Sequence, residues 1–265
     1  MDSIRVFTSE RDCRVLVEKV VFKEGVRCPK CMRPLARSLK YYWCKMCRKK
    51  VRLKAHTWFR GSKLSYRTIV LLLSAWQKNV HPGAVKALTG VSYPTIARWY
   101  TRFRQTVPED QEMLKGVVEV DEAFFGRQKY KNQKILMGAI ERRSGKIKLA
   151  QIPDREQGTL EYFLWRKVST ESKLHTDCHS GYFDLMWCGY GHELHNHSRG
   201  HFKDTNRIEN VWSVAKRQIR RMYGQIRTNK LNEFAREWEG RRNFPELFKS
   251  PQTFLTATLC SALVD

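Results

Sequence analysis

The apolar positions of this 265-residue chain change their period along its length. From Leu64 to Gln105 they recur at helical spacing. "LSYRTIVLLLSAWQ" opens on Ser65, a candidate cap, and "PGAVKALTGVSYPTIARWYTRFRQ" reads as helix, turn, helix. Beyond Gly116 the period falls to two, in short apolar runs. Val117–Asp121, Ile135–Glu141 and Ile147–Ile152 read as successive strands, the last pair joined at "RRSGK". A helix over Gly158–Lys167, a strand at "SKLHTD", a helix over Tyr182–Trp187, a strand near Glu193–His195 and a long helix over Asn206–Met222 follow. That order predicts a mixed α/β domain opening with an antiparallel meander. "TVPEDQEMLKG", Thr106–Gly116, holds Pro108 and an acidic cluster and reads as a linker. The stretch from Val26 to Leu53 is basic, cysteine-bearing and made of short elements.

Charge narrows the partner. Fifty Lys and Arg face 26 Asp and Glu, a formal net charge of +24. An excess of that size points to a polyanion. A membrane partner is disfavoured, because the longest apolar run, Ile69–Trp76, is far below the ~20 residues that span a bilayer. The opening "MDSIRVFTSERDC" has no leader pattern, so an intracellular place is expected. That means cytoplasmic and nucleoid-associated in a bacterium, nuclear in a eukaryote. There the eight cysteines favour metal sites over disulfides.

Cys28-Pro-Lys-Cys31 and Cys44-Lys-Met-Cys47 are two knuckles that together complete a four-sulfur tetrahedron for one structural Zn²⁺. Cys13, Cys178, Cys188 and Cys260 lack such spacing and read as packing residues. Arg27, Lys30, Arg33, Arg37 and Lys40 surround the knuckles, and "RKKVRLK", with Arg48, Lys49 and Lys50, follows them; long cations there suit phosphates. In the helical segment Gly90 supplies a turn and Ser92 a cap, while Ile96, Trp99 and Phe103 form a buried stripe. Tyr93, Thr95, Arg98 and Arg102 are then left for a DNA groove, as in a helix-turn-helix. A basic helical hairpin packed on the next domain is the plainer alternative.

Three acids draw attention in so basic a chain. Asp121 follows Val117, Val118 and Val120, where a carboxylate is expensive unless a cation meets it. Asp177 ends a later strand. Glu209 borders the apolar stripe Ile208, Val211, Trp212, Ala215 and Ile219, with Lys216 and Arg220 continuing its own face. Converging carboxylates repel unless divalent cations neutralise them, so two Mg²⁺ (or Mn²⁺) ~3.5–4 Å apart are expected. Plainer roles stand beside these. Glu122 points to the opposite face, as a surface acid or a supporting group. Asp177 could be a turn residue, and Asn206 with Glu209 could form a capping box. His192, His195, His197 and His201 suit either a second metal or partly buried polar positions on a strand.

Taken together and in this order, "CPKC…CKMC", "VSYPTIARWY", "VEVDEAFFG", "LHTDCHSGY", "HNHS" and "TNRIENVWSVAKRQI" resemble the Merlin-type insertion-sequence transposases, members of the DDE, RNase H-like group. The resemblance covers Val26 to Arg242. It implies an RNase H-like mixed-sheet catalytic domain with C-terminal helices over residues 111–265. Ahead of it would stand a zinc ribbon over 1–60 and a helix-turn-helix-like region over 61–110. It implies Asp121, Asp177 and Glu209 as catalytic metal ligands, Lys216 touching DNA near the cut end, and His197 near the active site. Members vary in the third ligand, which leaves Asn210 as a rival to Glu209. The implied function is binding of terminal inverted repeats in double-stranded DNA, as a homodimer or higher oligomer, followed by strand cleavage and transfer. A non-enzymatic DNA-binding regulator built from the same modules, and a nuclease of the same fold, are the alternatives.

Overall fold

The computed structural model describes residues 9–22, 25–28, 30–37, 41–127, 133–194 and 206–260. Lys40, His195, His197 and His201 lie outside the described residues. The helices are α1 (Glu10–Val21), α2 (Tyr66–Gln77), α3 (Pro82–Thr89), α4 (Tyr93–Thr106), α5 (Gln157–Lys167), α6 (Asn206–Tyr223), α7 (Leu231–Asn243) and α8 (Pro251–Cys260). The strands are β1 (Ala36–Arg37), β2 (Tyr42–Cys44), β3 (Lys49–Val51), β4 (Val117–Phe125), β5 (Lys134–Glu141), β6 (Ile147–Ile152), β7 (Lys173–Thr176) and β8 (Gly191–Leu194). Chain contacts divide into two compact units, residues 1–100 with 246–265, and residues 101–245. Among the described residues no helix is long and apolar enough to cross a membrane.

The first unit sets a three-stranded antiparallel ribbon, β1-β2-β3, among helices. Helix α1, for which the apolar pattern gave no expectation, starts where the Ser9 side chain accepts from the Asp12 amide. Its stripe of Cys13, Leu16, Val17, Val20 and Val21 is buried. Ser65 caps α2 through the Thr68 amide, and Gly90 ends α3 at φ 69°, both at the expected positions. Helix α8 also belongs here, although the expected catalytic range runs to residue 265. Trp76 and Phe254 meet edge to face at 5.4 Å, and the buried Gln77 amide donates to the Leu247 and Ser250 carbonyls.

The second unit is the mixed α/β domain, with strand order β6-β5-β4-β7-β8. The first three strands form the expected antiparallel meander, while β4–β7 and β7–β8 pair in parallel. On one face, Val118, Val120, Met137 and Leu174 pack with Leu160, Phe163 and Leu164 of α5 and with Tyr182. On the other, Ala123, Phe125, Leu136 and Ile140 pack with Trp212 of α6 and Trp238 of α7. Both faces are covered, so polar side chains projecting from the middle strands are buried as well.

Several expectations change. Strand β4 continues past Asp121, because β5 keeps pairing with it as far as Phe125↔Lys134. The expected helix over 182–187 is instead two 3-10 turns, Ser180–Tyr182 and Leu185–Cys188. Gly181 explains the first: a Cβ there would sit 2.8 Å from Leu160 and 2.9 Å from the Arg155 carbonyl. Gly189, at φ 85°, closes the second. The 106–116 segment is part of the second unit rather than a free linker. Val107 and Leu114 are buried, Leu114 bridges to Val168, and Asp110 lies 3.7 Å from the buried Lys148 ammonium.

Helix α6 packs tightly on the sheet at Gly138, where a Cβ would lie 2.5 Å from the Trp212 indole. We expect Gly138→Ala to force the indole away and destabilise the unit by about 1–3 kcal/mol. A lowered denaturation midpoint with unchanged slope would show it; an unchanged midpoint would contradict this packing.

Candidate active site and metal centre

In the first unit the Sγ atoms of Cys28, Cys31, Cys44 and Cys47 all lie within 4.8 Å of one another. Cys31 and Cys44 are 3.6 Å apart, near the ~3.8 Å edge of a tetrahedron built on Zn–S bonds of about 2.3 Å. Each knuckle turns back on the residue after its second cysteine, Met32 at φ 55° and Arg48 at φ 50°. The backbone amide of Lys30 hydrogen-bonds the Cys28 sulfur and lowers its pKa to about 6. Four soft donors in a closed set fit a structural Zn²⁺ and leave no position for a substrate. Little else holds this ribbon: its own buried cluster is Val26, Tyr42 and Val51. Arg48, Lys49 and Lys50 are exposed on the third strand and its turn, as are Tyr93 and Arg98 on α4, while Thr95 and Arg102 are half-buried. The Thr95 hydroxyl is already paired with Ser92 at 2.9 Å.

In the second unit, three acids of β4 find three environments. Glu119 is 1% exposed. Its Oε2 accepts from the backbone N–H groups of Arg207 (2.8 Å) and Ile208 (3.1 Å), and its Oε1 from Arg142 Nε (2.8 Å). Glu122, on the opposite face, accepts from the Tyr182 hydroxyl and from Arg155 Nη2 at 2.9 Å. It is therefore the supporting group of the two expected alternatives, not a surface acid.

Asp121 differs from both. Its Oδ2 accepts from the Trp212 indole N–H at 3.0 Å, and the Glu122 backbone amide adds a second neutral donor. Burial, then the Glu122 charge and more weakly that of Asp177, push its pKa from 3.8 to about 7. Asp177 lies one residue beyond the end of β7 and two beyond the last β4–β7 pair, Glu119↔His175, and its charge reaches Asp121. Asp177 Oδ1 accepts from the His179 amide at 3.0 Å, so its turn role is real, and Oδ2 lies 3.6 Å from Arg155 Nη2.

Helix α6 carries the remaining candidates. Glu209 is exposed in its first turn. Exposed Lys216 shares that edge and sets its ammonium 5.9 Å from the Phe125 ring, on the sheet face of Asp121. Arg220 is exposed one turn further on. Asn210 turns to the other flank, lining a groove with Val214, Arg241 and Arg242. Among the described residues only the four cysteines draw their ligand atoms within 4.8 Å; the carboxylates of Asp121, Asp177 and Glu209 are not gathered so tightly. Glu119 takes the amides of Arg207 and Ile208 in the first turn of α6 from across the sheet. Glu119, the Trp212 indole and Arg155 were absent from the sequence-derived candidates, and no local motif marks them.

The donor chemistry fits a hard divalent cation. Asp121 and Asp177 offer oxygen ligands, and the half-buried Asp121 carboxylate accepts from neutral donors. Two outcomes follow. Chelation should release about one Zn²⁺ per chain and unfold the ribbon, read by elemental analysis and near-ultraviolet circular dichroism; absence of zinc would remove that centre. For Asp121, a raised carboxyl pKa means stability held below pH 4 is lost as pH climbs through about 7. Asp121→Asn should therefore stabilise the metal-free protein by about 2–4 kcal/mol at pH 8 and by nothing near pH 3.5. Thermal melts at the two pH values decide it.

The ISXO2-like transposase domain family matches residues 113–243. An uncharacterized protein in transposable element ISH50 of Halobacterium salinarum is 28% identical over 131 residues, covering 47% of this chain and 45% of its own. The match thus spans less than half the length of that relative. The catalytic core domain of BIV integrase aligns with a TM-score of 0.33 at 14% identity, over 48% of this chain and 82% of that one, a likeness too slight to argue from. The family match runs from just before β4 to the end of α7 and takes in Asp121, Asp177 and Glu209; over this segment, residues 113–243, the chain is similar to the ISXO2-like transposase domain.

Proposed function

We propose that this chain is a DNA transposase that binds the terminal inverted repeats of its element and catalyses metal-dependent cleavage and strand transfer. The observation that carries the reading is Asp121: a half-buried carboxylate answered by neutral donors, within reach of the Asp177 charge, on the strand face covered by a helix presenting Glu209 and Lys216, inside a segment matched to a transposase domain.

Asp121, Asp177 and Glu209 would hold Mg²⁺ or Mn²⁺, which when bound supplies charge neutralisation for phosphoryl transfer. The chain's own groups do the rest. The Trp212 N–H fixes one oxygen of Asp121 and leaves the other to a ligand. Arg155 ties Asp177 to Glu122 and limits its rotation. Lys216 and Arg220 lie on the flank of α6 that bears Glu209, where they would meet phosphates beside the cut. In the first step, water adds across a P–O3′ bond, leaving a 5′-phosphate and a 3′-OH. In the second, that 3′-oxygen bonds to a target phosphorus while the target's own 3′-oxygen departs with the proton. Neither step needs a covalent protein intermediate.

DNA recognition falls to the zinc ribbon and to helix α4. Arg48, Lys49 and Lys50 beside the zinc knuckles, and Tyr93, Thr95, Arg98 and Arg102 along α4, are the proposed contacts, supported by the net charge of +24. Joining two ends calls for two catalytic sites, hence a dimer or larger assembly on DNA.

On end-sequence DNA with Mg²⁺, Asp121→Asn and Asp177→Asn should each lower nicking by at least about 10³-fold while retaining DNA affinity. Nicking at parental rates would refute the assignment, and hydrolysis without joined products would mark a nuclease. Affinity for DNA should fall with salt at a log–log slope near −0.9 per phosphate neutralised. Reversing Lys49, Lys50 and Arg98 together should flatten that slope by about 3; an unchanged slope would move the contacts elsewhere.

A further inference from the structure

Glu119 stands out among the buried groups that the proposed chemistry does not use. It is two residues before Asp121, on the same face of β4, and 1% exposed. Its partners are the Arg207 and Ile208 amides, at the first turn of α6, and the Arg142 guanidinium. The Arg207 guanidinium in turn donates to the Arg142 carbonyl, so the three residues form one knot. A carboxylate at a helix N-terminus meets both orphan amides and the positive end of the helix dipole. Glu119 therefore ties the helix that carries Glu209 to the strand that carries Asp121.

A second tie lies one turn further along the same pair of elements. Trp212 donates to Asp121, and its ring rests against Gly138, where nothing larger than hydrogen fits. One tie fixes the start of the helix and the other its rotation. Glu209 sits between them in sequence, two residues after Arg207 and three before Trp212.

We infer that Glu119 is a positioning residue of the metal site: its buried carboxylate anchors the first turn of α6 so that Glu209 stands at a fixed distance from Asp121 and Asp177. This rests on the proposed reading of those acids as metal ligands. Supporting groups of this kind typically contribute 10–100-fold to metal affinity without touching the ion. Both Glu119 oxygens are already engaged, Oε2 by the Arg207 and Ile208 amides and Oε1 by Arg142.

The test is Mn²⁺ affinity of the full, zinc-loaded chain without DNA, by titration calorimetry, together with amide hydrogen exchange. Glu119→Gln keeps the shape but loses the charge at the helix start; Glu119→Asp keeps the charge and withdraws it by one methylene. Both should weaken Mn²⁺ binding about 10-fold and speed exchange at Arg207 and Ile208, with Glu119→Asp available should Glu119→Gln fail to fold. In a Glu209→Gln background the Glu119 changes should cost nothing further, because the ligand they position is gone. Parental affinity in both Glu119 variants, or a full additional loss in the Glu209→Gln background, would overturn the inference while the ligand assignment stands. Parental affinity in Asp121→Asn and Glu209→Gln would instead sink the ligand assignment and this inference with it.

Discussion

Burying carboxylates in a covered sheet is the constraint on which the second unit turns. β4 runs through the middle with α5 on one face and α6 and α7 on the other, so an acid on either face leaves water at a cost of several kcal/mol unless charge answers charge. Glu119 is answered by two amides and a guanidinium, Glu122 by a phenol and a guanidinium. Asp121 receives two neutral donors, and its pKa rises to about 7. Two of the three acids are thus completed by the fold, and one is left short. Among the three acids of β4, stability is given up at Asp121, which is what the proposed ligand role would ask of it.

The sheet supplies the opening at that place. β5 pairs with β4 along its whole length, whereas β7 leaves after Glu119↔His175. Beyond that point, among the described residues, β4 pairs on one side only, and the chain after Thr176 continues through the Asp177–His179 turn and Ser180–Tyr182. Such a divergence at the carboxyl ends of parallel strands is where α/β sheets bind ligands. Asp121 is consequently mid-strand on the β5 side and at the last step of pairing on the β7 side. Its backbone is rigid, and its side chain faces an edge.

Legibility in the sequence followed the range of the forces involved. The zinc knuckles could be read outright, since the chemistry of four thiolates depends on local spacing alone. Caps at Ser65 and Gly90 were equally local. Strand identity was visible in the period-two pattern, but the end of β4 was not: Glu122, Ala123, Phe124 and Phe125 stay extended because Lys134–Met137 pair with them. Glu119 looked like any polar position of an alternating strand. That it meets a helix start 88 residues later is a property of topology, with no trace in its neighbours. The 3-10 turns at 180–188 failed for a similar reason, since the tight packing of Gly181 on α5 is tertiary.

Glu209 and Asn210 likewise part company only in three dimensions, and their placement bears on how substrate and ion would depend on each other. Consecutive helical residues point about 100° apart. Asn210 faces the groove with Arg241 and Arg242, while Glu209 shares an edge with Lys216, whose ammonium lies over Phe125. On the proposed reading, that edge brings a carboxylate and a cation to the same phosphate from one helix. The cation attracts DNA and the carboxylates repel it, so without a divalent ion the two effects oppose. With the ion bound, the repulsion is removed and the attraction remains. Metal and DNA must then raise each other's affinity by the same factor, since coupling between two ligands is reciprocal. On that reading a basic chain with an acidic pocket would bind DNA broadly through its surface but commit a phosphate to the pocket only with the ion present.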